Sequence, residues 1–164
     1  MRVILALAAA VFAAYLIFPP AFPFTHPDSA GYIAFAARRT VGYPLFLMGV
    51  ESLFGTHRAA IPIQLFAMIG SAAFAANEIR KLTKSTLFGL ATLALVIGNV
   101  FIYRYAFTIL TEALFFSAIA VLTGLVCRFA GSPSRAIIGA MSLLVAVSIL
   151  IRPASYIFIV VLAA

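Results

Sequence analysis

The chain has 164 residues, of which 65% are hydrophobic and only 9% are charged, and its mean hydropathy is +1.19. Soluble domains are on average about half apolar and about a quarter charged. Eleven Lys and Arg with four Asp and Glu cannot cover the surface of a soluble fold of this length. The composition therefore excludes an ordinary soluble domain and predicts an integral membrane protein.

The net charge of +7 comes from Lys and Arg residues that are scattered along the chain. A nucleic-acid-binding domain concentrates such residues on one face. Scattered cations between apolar runs are instead typical of contacts with anionic lipid headgroups. We therefore expect membrane lipids, and no nucleic acid, as partners.

Long apolar runs follow one another, and they show no alternation of apolar and polar residues. Membrane-spanning strands require such alternation, whereas a transmembrane helix needs about 20 apolar residues. The sequence predicts one all-α transmembrane domain over residues 1–164, a polytopic helix bundle with five to six crossings. The predicted crossings cover residues 3–17, 59–77, 86–103, 109–127 and 136–151, and a sixth begins at residue 155.

Both ends of the chain bear on this count. Arg2 and the small residues Ala8–Ala10 could mark a cleaved signal peptide, but the run stays apolar beyond them, which favours a retained first helix. The last ten residues are apolar yet too few to span a bilayer. We therefore expect the sequence to be the N-terminal part of a longer protein.

Residues 21–43 interrupt the apolar pattern with prolines and polar side chains. Pro23 and Pro27 disfavour a continuous helix, and residues 29–39 predict a short helix that lies at the membrane interface. A second apolar segment, residues 44–54, is also too short to cross. The loop after the first crossing is thus predicted to contain short interfacial helices.

The orientation follows from Lys and Arg in the loops on each side. With a cytoplasmic N-terminus, the inner set is Arg2, Arg80, Lys81, Lys84, Arg128 and Arg135, and the outer set is Arg38, Arg39, Arg58, Arg104 and Arg152. The inner set is the larger by one residue, which favours this orientation. The outer set contains only Arg, which suits bidentate binding of phosphate or carboxylate, so the outer face is predicted to bind an anionic group.

Only four acidic residues occur, so each is examined for function. Glu51 and Glu78 are expected to be solvated. Asp28 follows Pro27 at the start of the predicted short helix, where it could cap the helix, act as a general base, or do both. Glu112 begins the fourth crossing, where the helix dipole favours a negative charge; an ionisable residue beside an apolar run is also a functional candidate.

Several short motifs follow one another along the chain. They are His26-Pro27-Asp28-Ser29-Ala30-Gly31-Tyr32, Arg39-Thr40-Val41-Gly42-Tyr43-Pro44-Leu45-Phe46-Leu47, Gln64, Leu110-Thr111-Glu112-Ala113-Leu114-Phe115 and Arg152-Pro153. In this order the chain resembles the N-terminal half of GT-C-type glycosyltransferases. It is similar to the dolichyl-phosphate-mannose protein mannosyltransferases, the aminoarabinose transferases and related bacterial polyprenyl-phosphate-sugar transferases. The resemblance covers nearly the whole chain, and the first two motifs are its most specific part.

The resemblance implies transfer of a sugar from a polyprenyl-phosphate donor to a lipid, protein or glycan acceptor on the outer side of the membrane. It implies that Asp28 acts as the catalytic base or next to it, and that Glu112 contacts the acceptor or a metal. The residues expected to bind substrate are Tyr32, Arg39, Arg104 and Arg152. Their arginines would stabilise the departing lipid phosphate. It also implies a multi-pass protein of the bacterial inner membrane.

No Asp-x-Asp motif occurs, so the residues themselves imply no metal, although the resemblance leaves a divalent metal open. The competing hypothesis is a non-catalytic helical membrane protein, either a remnant that binds lipid or a partner, or a part of a transporter. A transporter is expected to break its helices near the membrane midplane. The interruptions here fall between the first and second crossings, which favours the enzyme.

Overall fold

Every regular element that the structure describes is a helix. The structure is a computed structural model that describes residues 1–18, 24–99 and 104–163. The α-helices are α1 (Arg2–Ile17), α2 (Ser29–Ile33), α3 (Gly42–Phe54), α4 (Ala60–Thr83), α5 (Thr86–Ile97), α6 (Glu112–Gly131), α7 (Arg135–Ile151) and α8 (Phe158–Ala163). The 3-10 turns His57–Ala59 and Pro153–Ile157 lead into α4 and α8. The predicted all-α class is confirmed.

Helix α4 lies at the centre and packs against α1, α5 and α6. Small side chains allow this arrangement because they let neighbouring helix backbones approach closely. Ala72 and Ala76 on α4 are fully buried. On α6, a Cβ at Gly124 would lie 2.5 Å from a ring carbon of Phe74, so only glycine fits there without displacement of the ring. Helix α7 packs against the other side of α6.

The helix boundaries differ from the predicted crossings mainly where charged residues begin. The predicted crossing 59–77 continues as α4 to Thr83, because Glu78 and Lys81 are good helix formers that pair three residues apart. Helix α5 ends at Ile97, and residues 100–103 of the predicted third crossing lie outside the described residues. The predicted short helix 29–39 is wrong in length, since α2 ends at Ile33.

Among the described residues, two helices are long and apolar enough to cross a membrane. They are His57–Thr83 and Glu112–Gly131, with mean hydropathies of 1.7 and 2.0. Helices α1, α5 and α7 are also apolar, but they have 16, 12 and 17 residues. Length and composition thus identify two candidate crossings in the described part of the chain, fewer than the five to six predicted.

Charged residues gather at the two ends of the bundle. What we call the carboxylate end contains Asp28, Arg38, Arg39, Glu51, Arg58, Arg104, Glu112 and Arg152, and what we call the basic end contains Arg2, Glu78, Arg80, Lys81, Lys84, Arg128 and Arg135. At the basic end, a Cβ at Gly89 on α5 would lie 2.9 Å from Arg80 Cβ and 3.2 Å from Ile4 Cδ1. The start of α1 and the end of α4 therefore lie close together beside α5.

Glu51 and Glu78 differ in exposure. The Glu51 carboxylate is 54% exposed and lies 3.4 Å from His57 Nε2, in agreement with the expected solvated position. The Glu78 side chain is only 5% exposed, and its Oε1 lies 2.6 Å from Lys81 Nζ. The expectation of a solvated Glu78 is therefore wrong, because the neighbouring helices cover this turn of α4.

Candidate functional site

The first feature of the carboxylate end is an ion pair between Asp28 and Arg39. Arg39 Nη2 donates a hydrogen bond to Asp28 Oδ1, and the two side chains are 19% and 55% exposed, for Arg39 and Asp28 respectively. This hydrogen bond, together with the positive charge of Arg39, lowers the pKa of the Asp28 carboxyl. The capping interpretation of Asp28 is wrong, because its carboxylate accepts no hydrogen bond from the first turn of α2.

The turn after α2 places Arg39 against Asp28. Phe35 has φ +50°, a left-handed conformation that costs a non-glycine residue about 1–2 kcal/mol, and it reverses the chain. The Arg39 guanidinium lies 4.6 Å from the centre of the Tyr32 ring, within cation–π distance. Gly31 leaves room for it, since a Cβ there would lie 3.0 Å from Arg39 Nε.

The second feature is an ion pair between Glu112 and Arg152. Arg152 Nη1 lies 2.8 Å from Glu112 Oε1, with side-chain exposures of 32% and 24%. Among the described residues this Nη1 has no hydrogen-bond partner with suitable angles, so the contact is one of charge. The guanidinium also lies 5.1 Å from the centre of the Phe115 ring, and Phe115 stacks on Phe158 at 5.5 Å. Aromatic rings therefore hold the guanidinium in place.

Hydrogen bonds join the segments that carry the two ion pairs. Ser29 Oγ donates to the Ile109 carbonyl at 2.7 Å, which ties the residue after Asp28 to the segment that leads to Glu112. Thr40 Oγ1 donates to the Ile151 carbonyl at 2.7 Å, which ties the residue after Arg39 to the residue before Arg152. The two carboxylate–arginine pairs are thus held next to each other.

A buried polar contact lies beneath the two pairs. The Tyr43 hydroxyl donates to Gln64 Oε1, and Gln64 Nε2 donates to the Thr108 carbonyl at 3.1 Å. Tyr43 and Gln64 are completely buried. Burial and the nearby negative charge of Glu112 raise the pKa of the Tyr43 phenol, so Tyr43 is a neutral donor that supports the segment leading to Glu112.

Replacing Tyr43 with Phe is expected to destabilise the protein by about 1–3 kcal/mol, because Gln64 Oε1 would stay buried without its donor. The measurement is the free energy of unfolding in detergent. The matched control is Tyr156→Phe, since Tyr156 is 60% exposed. Equal effects of the two substitutions would contradict a structural role for the Tyr43 hydroxyl.

No protein-family model, curated protein or solved structure matches this chain. An ionised carboxylate can accept a proton or orient a hydroxyl group. Guanidinium groups can bind a phosphate or carboxylate in bidentate fashion.

The residues at this end fit a divalent metal poorly. Each carboxylate of the two pairs is neutralised by an arginine, and a guanidinium beside the carboxylate repels a cation. Within the described ranges, no group of three His, Cys, Asp or Glu side chains lies close enough to hold a metal ion. We therefore derive no chemical step through a metal.

The structure brings together five of the six site residues predicted from the sequence: Asp28, Tyr32, Arg39, Glu112 and Arg152. Arg104 is exposed and lies in the segment before Glu112, and its carbonyl accepts from Phe107 N at 3.2 Å. Ser29 and Thr40, which connect the two pairs, were not predicted. Both lie within the first two motifs of the resemblance, which are the sequence signal that could have indicated them.

Proposed function

We propose that the chain is a multi-pass membrane glycosyltransferase, or the N-terminal part of one, that transfers a sugar from a polyprenyl phosphate. The observation that carries the proposal is the pair of carboxylate–arginine contacts gathered at one end of an apolar helical bundle. A base and a phosphate-binding cation are the two groups that such a transfer needs. The GT-C-like order of the motifs around Asp28, Tyr43, Glu112 and Arg152 supports the same reaction.

In the proposed reaction, an acceptor hydroxyl oxygen attacks the anomeric carbon of the sugar. The bond from this carbon to the phosphate oxygen breaks, and polyprenyl phosphate leaves with the bonding electrons. The hydroxyl proton passes to Asp28, while arginine side chains stabilise the phosphate. A donor phosphate that binds Arg39 would also release Asp28 from its partner, and the pKa of Asp28 would then rise toward the usual value for an aspartate, which makes it a better base.

The experiment that tests the proposal is release of polyprenyl phosphate from polyprenyl-phosphate hexoses by the full chain in liposomes. Donor consumption with transfer to an added acceptor is expected. Glu51→Gln is the matched control for replacement of Asp28, because Glu51 is an exposed carboxylate whose ion-pair partner in the described part of the chain is His57. A chain that binds these donors without turnover would favour the non-catalytic alternative.

That alternative has one observation in its favour. Both Asp28 and Glu112 are paired with arginines, and such ion pairs also occur as purely structural links between helices. A structural role predicts that replacement of Asp28 changes stability but leaves any transfer reaction unaffected.

The proposed topology places the carboxylate end on the outer side and the N-terminus in the cytoplasm, with α1, α4, α5, α6 and α7 as crossings. Single cysteines at Ala37 and Ser132, in a Cys127→Ser background, test this arrangement because both positions are exposed. We expect an impermeant maleimide to label Ala37→Cys in intact spheroplasts and Ser132→Cys only after permeabilisation. Labelling of both from one side would contradict the topology.

A further inference from the structure

An apolar groove of about 430 Å³ runs between α1 and α4. Its walls include Leu5, Phe12, Phe66, Ile69 and Phe74, and it ends at Met1 and Asn77. From Phe66 to Asn77 helix α4 rises by about 17 Å. This is roughly half of the ~30 Å hydrocarbon core of a bilayer, so the groove has the depth of one leaflet.

A cleft of about 300 Å³ with charged residues in its walls opens at the basic end, between the last turns of α4 and α6. Lys81, Arg128 and Ser132 contribute to its walls, together with Glu78. The Arg128 side chain is exposed, and it has no hydrogen-bond or ion-pair partner among the described residues. Its donors are therefore available to a ligand.

Glu78 offsets one of the two cations in this cleft, so that Lys81, Arg128 and Glu78 together leave a net charge of +1. Its side chain is 5% exposed, and its Oε1 already contacts Lys81 Nζ at 2.6 Å and accepts from Asn77 Nδ2 at 3.3 Å. The Lys81 side chain is 50% exposed, and an ammonium group has three donors. Glu78 thus holds Lys81 in position while donors of Lys81 remain available.

The groove and the cleft meet at consecutive residues of α4. Asn77 lines the groove and Glu78 lines the cleft, and Asn77 Nδ2 donates a hydrogen bond to Glu78 Oε1. An apolar channel that ends beside two cations has the shape and charge of an amphiphile with an anionic head.

The charge of the whole basic end is consistent with such a ligand. Six Lys and Arg residues and one Glu lie there, which gives a net charge of +5, whereas the five Arg and three acidic residues of the carboxylate end give +2. Cations at a membrane surface attract anionic lipids. The basic end therefore attracts anionic headgroups more strongly than the carboxylate end does.

We infer that the basic end is a binding site for an anionic phospholipid. The phosphate lies in the cleft and contacts Lys81 and Arg128, and an acyl chain occupies the groove between α1 and α4. This site is separate from the proposed sugar-transfer site at the opposite end of the bundle. It requires only that the chain is embedded in a bilayer.

The first test measures binding of phosphatidylglycerol to the full chain in an uncharged detergent by native mass spectrometry. The double variant Lys81→Gln/Arg128→Gln is expected to raise the Kd about tenfold or more, because two phosphate contacts are lost. The control Lys84→Gln/Arg135→Gln removes the same charge from the same end outside the cleft, and it is expected to change the Kd less than about twofold. Equal effects of the two variants, or equal binding of phosphatidylcholine, would overturn the inference.

Two further arms separate the parts of the site. Glycerol phosphate at the lipid's concentration is expected not to compete, and full competition would overturn the assignment to a lipid. Ala9→Leu places a larger side chain in the groove and is expected to weaken phosphatidylglycerol binding severalfold. The control Ala10→Leu, at an exposed neighbouring position, should leave binding unchanged. Equal effects of the two variants would overturn the role of the groove.

If the double variant fails to fold, Arg128→Gln alone is expected to raise the Kd for phosphatidylglycerol about fivefold. An unchanged Kd would overturn the role of the cleft.

Discussion

Replacing Asp28 with Asn is expected to reduce sugar transfer by about 10²–10⁴-fold, the usual contribution of a general base. Asn preserves the size of the side chain and can still accept a hydrogen bond from Arg39 through its oxygen. The variant therefore removes the charge while the turn after α2 keeps its shape. The measurement is the initial rate of polyprenyl phosphate release in liposomes, at equal amounts of inserted protein.

The pH dependence gives a second readout of the same residue. Arg39 lowers the pKa of Asp28, so the carboxylate becomes protonated only below the usual range for an aspartate. If Arg39 stays paired with Asp28 during turnover, the acidic limb of the pH–rate profile is expected below the usual pKa range of an aspartate. If the donor phosphate binds Arg39 instead, the acidic limb is expected to move up toward that usual range. A D28N variant with the rate and pH profile of the original protein would contradict a catalytic role. Glu51→Gln, which leaves the two ion pairs intact, should retain the original rate.

Replacing Gly42 with Leu is expected to lower the free energy of unfolding by about 3 kcal/mol, at the upper end of the usual cost of overpacking. A Cβ at Gly42 would lie 2.7 Å from the Leu150 carbonyl oxygen. Backbone atoms cannot move aside as a flexible side chain can, so α3 must separate from the end of α7. The Thr40 hydrogen bond to the Ile151 carbonyl would break at the same time, and the two ion pairs would lose their alignment.

The measurements are unfolding in detergent and the rate of transfer in liposomes. Gly49→Leu is the matched control, because Gly49 is also on α3 and a Cβ there would meet nothing within 4 Å. We expect the control to retain both stability and transfer. Similar losses in the two variants would show that α3 does not depend on close contact with α7.

The helices of the core could be predicted from the sequence because apolar runs of this length have few alternatives. The C-terminal end of α4 could not, since Glu78 and Lys81 look like a polar loop in the sequence and in fact belong to the helix. Glu78 lies beside the end of α6, and a local sequence pattern does not contain that contact.

The members of the site could be named from the sequence, but not their pairing. Asp28 and Arg39 were predicted as a base and a substrate ligand, and their direct hydrogen bond depends on a left-handed turn at Phe35. Phenylalanine has no preference for that conformation, so no propensity indicates it. The links from Ser29 to Ile109 and from Thr40 to Ile151 join residues 80 and 111 positions apart, and they follow only from the packed bundle.

The central position of α4 has a consequence for biosynthesis. The chain is made from the N-terminus, so α4 enters the bilayer before the segments that satisfy its polar side chains. The Gln64 amide lacks its acceptors until the carbonyls of Ala106 and Thr108 have been made. Glu78 likewise stays uncovered until the end of α6 has been made. Unsatisfied polar groups in lipid are costly. The newly made α4 is therefore expected to stay beside the insertion machinery until residue 131 has emerged. Ribosome-bound chains that end before α6 should be degraded faster than chains that include α6.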